Sequence, residues 1–256
     1  MNSFTDNEKY EKFYGGNPRE MPLYSIPEAA RYLKMPARTL RRWVNGDIAD
    51  KSTGRRTEPV IHLPDSSRLM LSFINLVEAY VLSSIRRIEN VQFDKVRASL
   101  EYLEGNFPSK HPFVDNQFWA ADFHLYVEKA GRLICTSRHG QIVITEVVAQ
   151  YLRRIDRDEK NIPIKIYPFS KPISFDTSDA SAKVKRLEAI PKNISIDPLV
   201  SFGRPTLAGT GITTNVIAGR FVAGESAKEL AKDYDITETQ VEEAVNYEGL
   251  ITRRAA

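Results

Sequence analysis

The strongest constraint on the fold is the stretch from Ser25 to Gly46, which has the pattern of two short helices joined by a tight turn. Ser25 and Glu28 have the spacing of a capping box, which satisfies free backbone groups at the start of a helix. Pro36 ends this first helix, because the residue before a proline is disfavoured in the helical region. A second helix over residues 37–44 then ends at a glycine. The stretch predicts a helix-turn-helix.

The second helix is strongly basic on the side that its apolar residues leave exposed. Leu40, with Trp43 or Val44, is expected to be buried, whereas Arg38, Thr39, Arg41 and Arg42 are candidates to bind DNA. Arginine and threonine side chains of this kind contact guanine edges and phosphates in a major groove. An ordinary helical hairpin with solvated arginines fits the spacing equally well.

The following segment, residues 47–64, adds further basic residues around a turn-like Ser-Thr-Gly sequence. Its candidate phosphate contacts are Lys51, Arg55 and Arg56, and Val60 to Leu63 is expected to form a short strand. A β-ribbon with a basic tip is typical of a wing, which reaches phosphates or the adjacent minor groove.

Two motifs, Ser25-Ile-Pro-Glu-Ala-Ala30 and Thr39-Leu-Arg-Arg-Trp43, resemble the winged helix-turn-helix of the MerR and excisionase class. The resemblance implies a DNA-binding domain over residues 22–64. The preceding residues, 1–21, are polar and charged, which predicts a flexible arm rather than a signal peptide.

A long apolar pattern runs from Ser66 or Ser67 to about Ile88, with apolar residues at three- and four-residue spacings on more than one side. Such a helix is either buried between layers or packed against a second subunit. In MerR-type proteins the helix after the winged domain forms the dimer, so the resemblance implies a homodimer. The candidate dimerisation residues are Phe73, Leu76, Val77 and Tyr80.

The rest of the chain divides into three parts by composition. A second helix over residues 94–104, short strands between residues 125 and 144 and a helix ending at Leu152 complete a central region, residues 65–155. Four prolines punctuate residues 156–193, which predicts a linker with one strand near Ile164. Three helices, 214–222, 227–234 and 238–246, predict a small trihelical module within residues 194–256.

Composition argues against several classes of function. The chain of 256 residues has a net charge of only +3 and one cysteine, Cys135, which excludes internal disulfides and fits a reducing cytoplasm. Its four histidines are scattered and lack the spacing of a metal site. No apolar run approaches the roughly 20 residues needed to span a bilayer. We therefore predict a cytoplasmic protein without metal, cofactor or catalytic residues.

The C-terminal module resembles the helical family known as domain of unknown function 433. The resemblance rests on Ile196-Asp-Pro198, Phe202-Gly-Arg-Pro205, Gly224-Glu-Ser226 and Asp233-Tyr234. Proteins that join this module to a MerR-like domain resemble VapB-type antitoxins, and the similarity extends through Phe118-Trp119 and Tyr151-Leu-Arg-Arg154. It implies a partner toxin with a PIN-type ribonuclease fold.

Together these features predict a mainly α fold with small β elements, comprising a winged helix-turn-helix, a central α+β region and a trihelical C-terminal domain. The expected function is that of an antitoxin of a type II toxin-antitoxin system, which represses its own operon and neutralises the toxin. The alternative is a MerR-like regulator whose central domain senses a small ligand, with no toxin. Candidate toxin-binding residues are Arg204, Arg220, Arg253 and Arg254.

Overall fold

The structure, a computed structural model, describes residues 15–46, 57–87, 111, 146–171 and 187–249. The first part contains β1 (Tyr24–Ser25), α1 (Ile26–Tyr32), α2 (Ala37–Asn45), β2 (Met70–Leu71) and α3 (Phe73–Arg86). Residues 146–152 are also helical. Then follow β3 (Ile155–Arg157), β4 (Pro163–Ile166), β5 (Ile194–Ser195), β6 (Thr206–Leu207), α4 (Thr214–Val222), α5 (Ala227–Tyr234) and α6 (Glu238–Glu248).

The fold is mainly helical, with small antiparallel strand pairs β1–β2, β3–β4 and β5–β6. The predicted fold class is confirmed. The predicted helix over residues 94–104 and the predicted strands between residues 125 and 144 lie outside the described residues.

Helix α3 begins later than the sequence pattern predicted. Ser72 caps it with a full capping box, in which the Asn75 N–H donates to Ser72 Oγ at 3.1 Å and the Ser72 N–H donates to Asn75 Oδ1 at 3.2 Å. Met70 and Leu71 form β2 and pair with β1. The start predicted at Ser66 or Ser67 is therefore wrong, because the apolar residues of a strand continue the helical spacing.

The described part of the N-terminal arm, residues 15–21, contacts the rest of the fold at two places. The Ile74 N–H, in the first turn of α3, donates to the Arg19 carbonyl at 3.0 Å. The Arg19 guanidinium pairs with Asp158 at 2.8 Å. The arm therefore satisfies a free donor at the start of a helix, which gives it a fixed place.

The larger hydrophobic core joins α1, α2, α3, residues 146–152 and the β3–β4 hairpin. Tyr151 lies at its centre, with its ring centroid 4.9 Å from that of Tyr80 and 5.0 Å from that of Phe169. A smaller core lies within the C-terminal module and includes Leu230, Val241 and Ala244.

The described part of the predicted linker, residues 156–171 and 187–193, is structured. Strands β3 and β4 pair. An antiparallel backbone bridge between Ile166 and Ile196 then connects β4 to the C-terminal module. Arg154 is 5% exposed, and its guanidinium donates to the carbonyls of Tyr167, Ile190 and Pro191 at 2.7–3.0 Å. The polar composition of this segment predicted a linker. In the structure the buried Arg154 connects separate parts of its backbone by hydrogen bonds.

The three helices of the C-terminal module are confirmed, with α6 extending to Glu248. Capping boxes start α5 at Ser226 and α6 at Thr237. These local signals set the helix starts, and the apolar faces of the helices then close the small core.

Candidate nucleic-acid interface

The helix-turn-helix forms as the sequence predicted. Ser25 caps α1, with its backbone N–H donating to Glu28 Oε2 at 3.0 Å. Two alanines, Ala29 and Ala30, are buried and let α1 and α2 approach closely. Pro36 then caps the second helix, and its carbonyl accepts from the Leu40 N–H at 3.3 Å.

Helix α2 separates apolar and basic residues onto opposite sides. Leu40, Trp43 and Val44 are at most 5% exposed, while Arg38, Arg41 and Arg42 are exposed and Thr39 is half-buried. Residues three and four positions apart lie on the same side of a helix, so the three arginines form one basic face. No ion pair of Arg38 or Arg41 occurs within the described residues. This face can donate hydrogen bonds to phosphates and base edges.

The residues that flank the predicted wing, Gly46 and Thr57, lie next to each other at the C-terminal end of α2. Lys51, Arg55 and Arg56 lie outside the described residues, but an alanine Cβ at Gly46 would lie 2.0 Å from the Thr57 carbonyl oxygen. The chain therefore leaves and returns at one point. Residues 60 and 61 form no strand, contrary to the prediction: their N–H groups both donate to the Trp43 carbonyl, at 2.7 and 3.0 Å.

The four candidate dimerisation residues lie in the core of the single chain. Phe73, Leu76 and Val77 are 0% exposed and Tyr80 is 2% exposed. Side chains with no remaining surface cannot gain burial against a second subunit. Within the single chain this helix is therefore buried between layers, which is the first of the two alternatives for it.

Of the candidate toxin-binding arginines, Arg253 and Arg254 lie outside the described residues. Arg220 pairs with Glu225 and with Asp233, the latter at 2.7 Å, and lies over the Tyr234 ring. The hydrogen bonds that Arg220 donates to Glu225 and Asp233 raise its pKa. Its guanidinium is engaged within the module, whereas Arg204 is exposed and forms no ion pair within the described ranges.

A contact that the sequence did not reveal joins the end of α6 to the helix-turn-helix. Tyr247 Oη donates to the Tyr32 carbonyl at 2.7 Å, and Arg31 pairs with Glu248 at 2.5 Å. The Lys34 ammonium donates to the Tyr247 carbonyl and lies 3.7 Å from the centre of its ring. Burial lowers the pKa of Lys34 to about 8. No local pattern indicates such pairings, since the residues are more than 200 positions apart.

A small cavity of about 250 Å³ lies at this contact. Its lining includes Glu28 and Arg31 from α1, Arg204 from the loop after β5, and Thr214 and Glu248 from the module. Glu248 also accepts from the Thr214 hydroxyl. One carboxylate thus connects the module to α1, which is the helix beside the basic face rather than the basic helix itself.

Other kinds of site are not found in the described part of the chain. No group of three or more histidine, cysteine, aspartate or glutamate side chains there is placed to hold a metal ion. None of its helices combines the length and apolar character needed to cross a bilayer.

Two family models match the chain, one near each end. Residues 22–100 match the family described as "Putative DNA-binding HTH domain", and residues 194–247 match "Protein of unknown function (DUF433)". A Mycobacterium tuberculosis protein named "Uncharacterized protein Rv2308" is 24% identical over 88% of this chain and 89% of that protein. The crystal structure of Rv2018 from the same organism has a TM-score of 0.62 at 24% identity, over 90% of this chain and all of that one.

A second relative carries a functional name. The M. tuberculosis protein "Putative antitoxin VapB45" is 26% identical over 244 residues, which are 89% of this chain and 94% of that protein. The chain therefore resembles an HTH family at its N-terminal end and the DUF433 family at its C-terminal end, and over most of its length it is similar to a protein named as a VapB antitoxin.

Proposed function

We propose that the chain is a DNA-binding antitoxin that represses its own operon and neutralises a PIN-type ribonuclease toxin. The observation that carries the proposal is the exposed arginine face of α2 in a chain that is similar over 89% of its length to a protein named as an antitoxin. Both the DNA and the toxin would be met in the cytoplasm.

Helix α2 binds the operator in the major groove, with Arg38, Arg41 and Arg42 directed at base edges and phosphates. Lys51, Arg55 and Arg56 of the wing contact phosphates beside it. A homodimer would place two such helices about 34 Å apart and require a pseudo-palindromic operator. Because the α3 residues lie in the core, the dimer contacts lie on other surfaces.

Titration of labelled DNA from upstream of the chain's own gene, at several salt concentrations, tests the DNA step. We expect tighter binding to this DNA than to scrambled duplex, with affinity falling steeply as salt rises. Equal affinity for both duplexes, with no salt dependence, would contradict the repressor function.

Neutralisation requires blocking a nuclease whose active-site carboxylates bind divalent metal. A guanidinium pairs with a carboxylate bidentately and can take the place of the metal's charge. Arg204, Arg253 and Arg254 are the candidates that remain, because Arg220 pairs with Glu225 and Asp233. We place the toxin contact within residues 196–256.

Co-expression with the nuclease encoded beside the gene tests this step. A full-length chain carrying Arg41→Ala and Arg42→Ala should lose operator binding and still protect cells from the toxin. Loss of protection in that variant, with the chain folded, would place the toxin contact on the DNA-binding domain instead.

One cavity favours the alternative of a ligand-sensing regulator. It has a volume of about 460 Å³ and is lined by residues that include His62, Ser72, Asn75 and His111. Beneath it, the buried Glu78 carboxylate accepts from Asn75 at 3.0 Å and lies 3.2 Å from His111 Nδ1. A locus without a nuclease gene, together with operator binding that changes with a small molecule, would support this alternative.

A further inference from the structure

The most exposed large apolar side chain in the described part of the chain is Phe202. The residue is 79% exposed, compared with 54% for Val222 and 44% for Val216. It lies in the loop between β5 and β6, and Leu199 in the same loop is 40% exposed. An aromatic ring exposed to this degree gains nothing from the fold of its own chain.

The backbone that presents Phe202 is strained. Ser201, Phe202 and Gly203 have φ values of 49°, 56° and 69°, so three successive residues are in the left-handed region. Only the last is a glycine, and residues with a side chain are disfavoured in that region because their Cβ atom comes too close to the following carbonyl oxygen. Strain of this kind persists only where the surrounding structure enforces it, and it is concentrated at functional sites.

The contacts of the loop explain how the strain is held. Ser201 Oγ donates to the Gly211 carbonyl at 2.9 Å, and the Gly203 N–H donates to the Val200 carbonyl at 3.0 Å. An alanine Cβ at Gly203 would lie 2.2 Å from Tyr24 Oη, so the loop packs directly against the start of the helix-turn-helix. These contacts fix the loop in its conformation, and the Phe202 side chain contributes none of them.

An arginine in the same loop indicates the kind of partner. Arg204 follows two positions later, is exposed and forms no ion pair within the described ranges. An exposed aromatic ring and an exposed guanidinium in the same loop have the composition of an interface hot spot, in which aromatic residues and arginine predominate. Its complement is an apolar pocket bordered by carboxylates.

We infer that the loop from Leu199 to Arg204 is the surface that binds the nuclease toxin, with Phe202 inserted in an apolar pocket and Arg204 paired with a carboxylate at its edge. The inference rests on the proposed function, since it identifies the contact surface of that same partner. The active-site carboxylates of a metal-dependent nuclease supply the required negative charge.

The test exploits the left-handed backbone. Asparagine tolerates that conformation better than phenylalanine does, so Phe202→Asn removes the ring without adding strain, and Phe202→Gly is a second variant with the same property. Val222→Asn is the matched control, because it removes another exposed apolar side chain at the end of α4. Each full-length variant is titrated with the nuclease encoded beside the gene.

We expect both Phe202 variants to weaken nuclease binding by about thirtyfold or more, as loss of an interface hot spot does. Val222→Asn should bind as the wild type does. Operator affinity and the urea midpoint should not fall in the Phe202 variants, since the ring has no role in either. This combination separates a binding residue from a structural one.

Three outcomes would overturn the inference. Unchanged nuclease binding by both Phe202 variants would exclude the loop while leaving the proposed function intact. A wild-type chain that binds no nuclease from its own locus would remove the proposed function and the inference together. A change in mass by light scattering in the Phe202 variants alone would assign the loop to contact between two copies of the chain.

Discussion

Gly46 ends helix α2 in a position that excludes any side chain. Its φ is +68°, and an added Cβ would lie 2.0 Å from the Thr57 carbonyl oxygen, a backbone atom that cannot rotate away. The glycine therefore brings the two ends of the wing segment together. Its identity could be predicted from the sequence as a helix end, but its close approach to Thr57 could not.

Gly46→Ala should destabilise the protein by more than the roughly 1–3 kcal/mol that a sparsely populated backbone conformation alone costs, since Gly46 has φ +68° and ψ 168°. Gly209→Ala is the matched control, because Gly209 has a φ of +80° and no atom within 4 Å of the added Cβ. Urea unfolding of both variants measures the difference. Equal midpoints would show that the backbone at Thr57 can move at no cost.

The arginines of α2 give a second prediction about single residues. If α2 binds the operator as proposed, Arg41→Ala should weaken specific binding by about 1–3 kcal/mol, the typical value of one bidentate contact with a base. Arg68→Ala is the control, since the Arg68 side chain is 70% exposed on a turn outside α2. Fluorescence anisotropy with operator DNA measures both. A similar loss in the two variants would indicate a general charge effect.

Local signals determined which residues of the candidate site could be predicted. The capping box at Ser25 and the burial of Leu40 depend on neighbours a few positions away, and both were predicted. The pairing of Arg31 with Glu248 spans 217 positions and depends on how two domains dock. No pattern in the sequence specifies that geometry.

Helix α3 likewise has some features that the sequence predicted and others that it did not. Its existence followed from the apolar spacing, and the apolar residues on several sides indicated deep burial. Its start did not follow, because Met70 and Leu71 continue the helical spacing while pairing with β1. The partner that covers its apolar face proved to be the rest of the same chain.

Leu76→Ala tests whether this helix is a core element. The Leu76 side chain is 0% exposed, so its truncation should cost about 2–5 kcal/mol. The loss should be the same at all protein concentrations, as expected for a core rather than an interface. Leu69→Ala, at a 42% exposed position before the helix, should change the urea midpoint little. A Leu76→Ala midpoint that rises with protein concentration would restore the dimer assignment.

Buried tyrosines determine how the whole molecule responds to alkali. Tyr24, Tyr80, Tyr151 and Tyr247 are each at most 2% exposed, and burial raises the pKa of all four, that of Tyr151 to about 12. Unfolded tyrosines ionise near pH 10, so above that pH only the unfolded chain loses these protons readily. The contribution of these tyrosines to stability is therefore full below pH 10 and is lost above it.

Each of these tyrosines should lower the free energy of unfolding by about 1.4 kcal/mol per pH unit above pH 10, up to its folded pKa. Lys34 acts in the opposite direction between about pH 8 and 10.5, because its folded pKa is lowered. Urea titrations from pH 10.5 to 11.5 avoid that overlap. Tyr80→Phe should make the free energy of unfolding fall less steeply with pH, by about 1.4 kcal/mol per pH unit. An unchanged dependence on pH would mean that Tyr80 ionises in the folded state.

The contact between Tyr247 and Tyr32 also bears on the order in which the protein is made. The two residues are 215 positions apart, so α1 leaves the ribosome long before the residue that its carbonyl binds. Synthesis proceeds at about 5–20 residues per second, which leaves the DNA-binding helices without this contact for roughly 10 seconds or more. The nascent chain therefore completes the helix-turn-helix first, and α1 docks on the C-terminal module as one of the last steps of folding.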